Sequence, residues 1–297
     1  ADTMRTAIRS SADCLQYEGT VYYVSENGND SNRGTSAAAP IKTIDRLKQL
    51  TLNAGDTVLF ERGGVFRTTT TYNTVSGVKY GAYGSGEKPK IYGSEKNYAT
   101  SAWVKTEYEN IWKLALSKVY DNDPTPGDVG IIVFNQNQLV GTKQYIIEEL
   151  KSDGYFYYDN DEQAVYLYCS EGNPSTVYSD IEIGRKNVLF VPENNVTIDN
   201  LGFFYTGAHA ISANPAVCGV KITNCEIAWI GGSSHMDTRF GNGIQFWNGC
   251  RNIEISGCYI YQVFDAGITI QGDDLKSVYK NVRIENNLIE YCSWSFE

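Results

Sequence analysis

Two histidines and two methionines in 297 residues, and seven cysteines without a single CxxC spacing, set the first limits on this chain. With only His209 and His235 available, no metal centre is expected. No stretch approaches the roughly 18 consecutive apolar residues of a membrane-spanning helix. Positive charge is the minority sign: 25 Lys and Arg face 35 Asp and Glu, a formal charge of −10. That balance argues against nucleic acid or an anionic membrane as partner, and it makes a highly anionic polymer an awkward substrate unless cations intervene. Gly84-Ser85-Gly86 and Gly241-Asn242-Gly243 lie outside any strand–loop–helix unit, so they read as turns and not as a phosphate cradle.

What the chain does have is strand and turn chemistry, with 22 Tyr and 28 Gly. One pattern recurs: Val196–Asn200, Val220–Asn224, Ile253–Gly257 and Val282–Asn286. Each copy alternates apolar residues into an Asn or Gly corner, and a second short strand follows. Ile198, Ile222, Ile255 and Ile284 are separated by 24, 33 and 29 residues. Repeats of about 20–50 residues mark stacked, quasi-one-dimensional architectures. An all-β, parallel β-helix is expected. Asn200, Asn224 and Asn286 then suggest an amide ladder along one corner, and Asp199, Glu254 and Glu285 a solvated face. Cys225 and Cys258 occupy equivalent places on adjacent coils. Coil spacing would tolerate a disulfide, but a ladder of buried free thiols is favoured because Cys is a good small core residue.

Residues 2–13 suit a short amphipathic helix, capped by Asp2 or Thr3 and lying across the open end of the first coil. A second short helix is expected at 43–50. Tyr22–Thr35, Pro40–Ile44, Gly55–Phe60 and Arg62–Phe66, with the later Gly243-Ile244, Asp265–Thr269 and Asn286–Ile289, resemble right-handed parallel β-helix proteins of the pectate-lyase-like superfamily. The resemblance implies an extracellular, cell-surface or periplasmic carbohydrate-active protein. That superfamily includes glycoside hydrolases, lyases, esterases and adhesins, so fold alone leaves the reaction open. Residues 95–185 break the coil rhythm with alternating strands such as Gly154–Tyr158 and Ala164–Tyr168. They read as an inserted antiparallel β subdomain, similar to that of some β-helix glycosidases. The chain thus divides into 1–94 (cap and first coils), 95–185 (insert) and 186–297 (continuing coils). Since the stack stops at Glu297 inside a strand, a further C-terminal segment or a partner chain is expected to cover the open coil.

Aligning the second strands puts Ile211, Ile244, Ile268 and Phe296 at one inward level. Ser212, Gln245, Thr269 and Glu297 then form one outward column, with Trp247 and Gln271 two residues further along. Indole stacks on the apolar face of a sugar ring, while amides and carboxylates meet its hydroxyls. The 231–243 loop, with His235 and Arg239, is a candidate substrate contact on the same grounds. Ser234, His235 and Asp237 are too close in sequence to converge as a triad. Glycoside hydrolysis needs two carboxyls flanking the bond, and Asp265 with Glu297 is the candidate pair. In a fully extended strand they would lie roughly 13 Å apart, so a bend at Ala266-Gly267 is required. Asp273 and Asp274 are further candidates for sugar contacts, or simply a coil corner.

Three functions follow from these residues. A glycoside hydrolase acting on a polysaccharide or oligosaccharide would need no cofactor. A polysaccharide lyase would need a basic residue, with Ca²⁺ or a cationic side chain to neutralise a uronate. A non-catalytic glycan-binding module would use the same face without either carboxyl.

Overall fold

The computed structural model describes residues 1–117, 127–273 and 277–297. Alternation with period two sends every second side chain inward, and stacking coils buries that inward set. Three parallel sheets result. The first runs through Val21–Val24, Thr57–Glu61, Lys79–Tyr83, Thr197–Asp199, Lys221–Thr223, Cys250–Ser256 and Tyr279–Glu285. The second comprises Val65–Arg67, Lys90–Tyr92, Gly202–Thr206, Glu226–Ile230, Tyr259–Val263 and Leu288–Glu290. The third comprises Tyr72–Asn73, Phe190–Val191, Ile211–Ala213, Ile244–Trp247, Ala266–Gln271 and Trp294–Phe296. The fold is a parallel β-helix.

Register follows the repeats. Ile198, Ile222, Ile255 and Ile284 are paired in succession, as are Ile211, Ile244, Ile268 and Phe296. One core cluster threads the coils, with Phe60, Tyr72, Tyr80, Phe190 and Phe203 in the early turns and Ile, Val and Cys in the later ones. All seven cysteines are free. Cys225 and Cys258 donate their thiols to the carbonyls of Ile198 and Ile222, each at 3.7 Å, so they form a buried thiol ladder.

At the corner between the first and second sheets, Asn200, Asn224, Gly257 and Asn286 all take left-handed backbone, with φ of 59°, 52°, 64° and 55°. Asn and Gly tolerate that region best, which explains their recurrence. The amides do not stack as a continuous ladder, because Gly257 interrupts it. Asn224 donates instead to Asp199 at 2.8 Å, and Asn200 to the carbonyl of Ala12 at 2.8 Å. Asp199 is correspondingly buried, not solvated: it accepts from Thr223, Asn224 and Asn200, with Cys14 of the N-terminal segment beside it.

The N-terminal helix spans Asp2–Arg9, with Ala1 at its N-cap and no side-chain cap. It does not lie across the end of the first coil. It packs on the outside of the second sheet near Tyr259–Val263, where Arg5 bonds Glu290 at 2.9 and 2.7 Å and Arg9 bonds Glu226 at 2.8 and 2.7 Å. Arg9 also stands over the rings of Tyr259 and Tyr261. Apolar character is too thin to drive end-capping: Ile8 is the helix's one buried residue. Paired guanidiniums therefore choose the surface. Near the first coil, the short helix Ile44–Leu47 supplies Ile44 and Leu47 to the core.

Between Lys90–Tyr92 and Phe190–Val191 the chain leaves the coil. Val129–Phe134 pairs antiparallel with Leu139–Val140 and Ile181–Arg185. A five-stranded sheet runs in the order Thr142–Lys143, Tyr155–Asp159, Ala164–Tyr168, Ile111–Ala115, Val104–Lys105, antiparallel except at its first pair. The insert has its own core, including Trp103, Phe134, Phe156, Leu167 and Tyr178. It sits backbone to backbone on the corner between the second and third sheets. A Cβ on Gly130 would lie 2.4 Å from the Gly231 carbonyl oxygen and 2.8 Å from Gly207 Cα. Two coils later the same corner extrudes a hairpin, Ser233–His235 with Thr238–Phe240. Asp128 joins the two outgrowths, accepting from Lys143 of the insert and, at 2.7 Å, from the Ser234 amide of the hairpin.

Candidate functional site

The outward row of the third sheet brings together most of the residues singled out above. Ser212 pairs with Gln245 and Gln245 with Thr269, while Trp247 pairs with Gln271. Ala266 faces Trp294 and Ile268 faces Phe296, which puts Glu297 beside Thr269. The side chains are hydrogen-bonded along the row. Gln245 Nε2 donates to Ser212 Oγ at 3.0 Å, and Thr269 Oγ1 and Gln271 Nε2 donate to Glu297 Oε2 at 3.1 and 2.9 Å. Glu297 is thus held from two sides, and Trp247 is half-buried next to Gln271.

Asp265 opens the strand before Ala266 and is half-buried, its amide donating to the Gly241 carbonyl. Burial pushes its carboxyl above the ordinary aspartate value, and the charge of Glu297 adds to the rise. The two carboxyls therefore act on one another although four strand positions separate them. One carboxyl favoured in its protonated form beside a second that carries charge is the electrostatic arrangement of an acid paired with a base or nucleophile.

Sequence reasoning missed the residue that organises this end of the row. Asn242 is 4 % exposed. Its Nδ2 donates to Gln245 Oε1 at 2.6 Å, its Oδ1 accepts the Ala266 amide at 3.1 Å, and its own amide donates to His209 Nδ1 at 3.0 Å. The signal was present: Asn242 lies inside the Gly241–Gly243 turn that reads as mere punctuation. His209, accepting at Nδ1, carries its proton on Nε2. Burial lowers its pKa from 6.5 to about 4, so it is neutral at physiological pH.

The remaining candidates scatter. His235 is paired with Thr238 in the hairpin. Arg239 lines a separate cleft of 520 Å³ with Trp229, Gln262, Phe264, Tyr291 and Tyr145 of the insert. The next hairpin residue, Phe240, turns instead to a 700 Å³ cavity beside His209. Asp273 is a coil corner whose amide donates to Asn248 Oδ1 at 3.0 Å, and Asp274 lies outside the described residues. A second column also went unnoticed. Tyr205, Trp229, Gln262 and Tyr291 take φ of 57°, 58°, 51° and 53°, at the same 24-, 33- and 29-residue intervals as the isoleucines. Bulky residues in that region are uncommon. Among the described residues no group of three or more His, Cys, Asp or Glu is placed to hold a metal ion, and no helix is long and apolar enough to cross a membrane.

Comparison with known proteins agrees with the fold. A family model described as right-handed beta helix region matches residues 163–295. A lacto-N-biosidase of Bifidobacterium longum subsp. longum is 31% identical over 102 residues, which is 31% of this chain and 6% of that protein. Among solved structures, XylC in complex with xylose aligns with a TM-score of 0.51 at 14% identity, over 93% of this chain and 64% of that one. A GH136 lacto-N-biosidase from Eubacterium ramulus aligns with a TM-score of 0.50 at 17% identity, over 93% of this chain and 42% of that one. The chain spans less than two thirds of each of these proteins. It is a right-handed parallel β-helix, similar to carbohydrate-active enzymes.

Proposed function

We propose that the chain carries the carboxyl pair of a glycoside hydrolase acting on an oligosaccharide or polysaccharide. The observation that supports this reading is Asp265: burial and the neighbouring Glu297 charge both favour its protonated form. Asp265 gives its proton to the glycosidic oxygen as the C–O bond breaks. Glu297 faces the anomeric carbon as nucleophile, or as the base that takes a proton from the incoming water, and water supplies the hydroxyl of the new reducing end. Gln245, Gln271 and Ser212 offer hydrogen bonds to sugar hydroxyls, and Trp247 offers a ring face. A lyase would need a base and a cation beside the scissile bond. The side chains hydrogen-bonded along the row are amides, hydroxyls and a carboxylate, with no cation among them.

The test is a panel of xylan, pectic, fucosylated, alginate and lacto-N-biosidase substrates, assayed together for new reducing ends and for unsaturated uronate. Reducing ends that vanish in both Asp265→Asn and Glu297→Gln support hydrolysis. Unsaturated product assigns the chain to the lyases. Unimpaired binding without turnover by wild type or either variant leaves a binding module.

A further inference from the structure

The 520 Å³ cleft that Arg239 lines has two walls of different origin. The insert supplies Thr142 and Tyr145, and the coil supplies Trp229, Gln262, Phe264 and Tyr291. Tyr145, Phe264 and Tyr291 are 60%, 44% and 72% exposed, so three large rings stand open to solvent around one space. Trp229, Gln262 and Tyr291 also belong to the column with left-handed backbone, at φ of 58°, 51° and 53°. The corresponding column between the first and second sheets holds Asn and Gly, which that backbone suits. Here an indole, an amide and a phenol are kept against the local preference, and all three line the cleft.

Two polar side chains in the cleft are unpartnered. Among the described residues, neither the Gln262 amide nor the Arg239 guanidinium makes a side-chain hydrogen bond or an ion pair. Gln262 is half-buried and Arg239 exposed, so both can be reached by a ligand. Lys143 differs: its charge is met by Asp128, and it donates again to the Gly232 carbonyl at 3.3 Å. It lies 5.8 Å from the centroid of the Tyr145 ring, which steadies that ring from one side. Among the described residues the lining holds no carboxylate. One exposed guanidinium is screened by salt and belongs to a chain of net charge −10, so it selects poorly for anions. Open ring faces, an amide that both donates and accepts, and a guanidinium fork instead match a sugar, with its apolar C–H face and its hydroxyls.

We propose that this cleft is a subsite for a neutral sugar unit, adjoining Asp265 on the side away from Glu297. The sugar ring lies against Tyr145 of the insert, and its hydroxyls meet Gln262 and Arg239. The position follows from the chain. Phe264 lines the cleft and immediately precedes Asp265, whose amide is tied to the Gly241 carbonyl at 3.0 Å. Gly231, also in the lining, packs on Phe264: a Cβ there would lie 2.7 Å from Phe264 Cβ. Glu297 lies in the other direction, beside Thr269 and four strand positions beyond Asp265. The order along the coil is cleft, Asp265, Glu297. Under the hydrolase reading, with Glu297 at the anomeric carbon and Asp265 at the glycosidic oxygen, the cleft receives the departing unit. That it takes a neutral sugar rests on its own lining.

The experiment uses the full chain as Asp265→Asn, so that nothing is cleaved. Saturation-transfer NMR follows the methyl glycosides of glucose, galactose, xylose, fucose and N-acetylglucosamine, each at about 20 mM, with methyl glucuronoside as the charged comparison. At least one neutral glycoside should bind, with an affinity that holds between about 50 and 500 mM salt. Tyr145→Ala and, separately, Gln262→Gly should each weaken that binding about fivefold or more. Glycine suits the backbone at position 262, so the second variant should keep its melting temperature and its loss of binding cannot be put down to misfolding. Four results would overturn the proposal: no neutral glycoside bound, a preference for the glucuronoside that fades with salt, binding that survives both substitutions, or binding lost in Trp247→Ala but kept in Tyr145→Ala. If the wild type releases no reducing ends while binding responds to Tyr145 and Gln262 as expected, the hydrolase reading fails and this one stands.

Discussion

Acidification should find His209 before it finds most of the protein. The imidazole is buried against the third sheet, and its pKa falls from 6.5 to about 4 because burial opposes the charged form. A depressed folded-state value means the unfolded chain binds the proton first. Stability contributed by the neutral ring is complete above pH 6.5 and drains as pH falls toward 4. At 1.36 kcal/mol per pH unit the drop is worth about 3 kcal/mol. Charging the ring at Nδ1 also turns an acceptor into a donor facing the Asn242 amide, which breaks the link to Gln245 and Ala266. His209→Gln is the control: its Oε1 accepts from Asn242, its Nε2 donates toward the cavity, and it does not titrate. Urea unfolding between pH 7.5 and 4 should show the wild type losing about 3 kcal/mol more than this variant. Parallel stability curves for the two proteins would refute the reasoning, since carboxylates elsewhere titrate equally in both.

Three other outcomes follow from the same kind of accounting. Arg67→Ala strips the bidentate partner, at 2.8 and 2.7 Å, from Glu182, whose side chain is 3% exposed; chemical denaturation should show a loss of about 3–5 kcal/mol. Burial already raises the Glu182 carboxyl against the pull of Arg67, so the loss should shrink as pH falls toward 4.5 and the acid is neutralised, and a loss that stays flat with pH contradicts it. Asp265→Asn should raise the melting temperature at pH 7 but not at pH 3, because a carboxyl with a raised folded-state pKa costs stability only where it is ionised. Glu297→Gln should move the Asp265 carbon NMR titration to lower pH yet leave it above the ordinary aspartate value, since burial is the larger cause; an unmoved titration would mean that the two carboxyls do not interact.

How much of this was legible depended on the range over which each feature is decided. The isoleucine register could be read because alternation and repeat length are local and a one-residue slip would turn each apolar set outward. The same arithmetic aligned Ser212, Gln245 and Thr269. Asp199 defeated it: a charged residue alternating with apolar ones looks solvated, but Thr223 and Asn224 of the next coil donate to it and the N-terminal segment, about 185 residues away in sequence, lies beside it. The position of the first helix was hidden likewise, since Arg5 and Arg9 find partners 285 and 217 residues along. For Asp265 and Glu297, strand spacing speaks of Cα positions, whereas their mutual influence depends on where flexible side chains lean. Asn242 was hidden by its turn-like neighbours, Gly241 and Gly243.

The placement of the outgrowths ties the fold to the proposed chemistry. A solenoid face is flat, and flat faces bind chains weakly because they exclude little water. Here the insert and the hairpin both leave at the corner between the second and third sheets, and Asp128 holds them together through Lys143 and Ser234. The hairpin's alternation then serves two spaces at once, with Arg239 lining one cleft and Phe240 the other. Immediately after Phe240 the chain re-enters the coil through Asn242, whose three hydrogen bonds reach His209, Gln245 and Ala266. Ala266 follows Asp265. The wall of the cavity and the backbone beside the candidate acid are therefore joined through one buried amide, and a displacement of Asn242 would leave buried polar groups unpaired on both sides. A buried network of that kind holds the backbone on which the candidate acid sits more firmly than a solvated loop on the same face would.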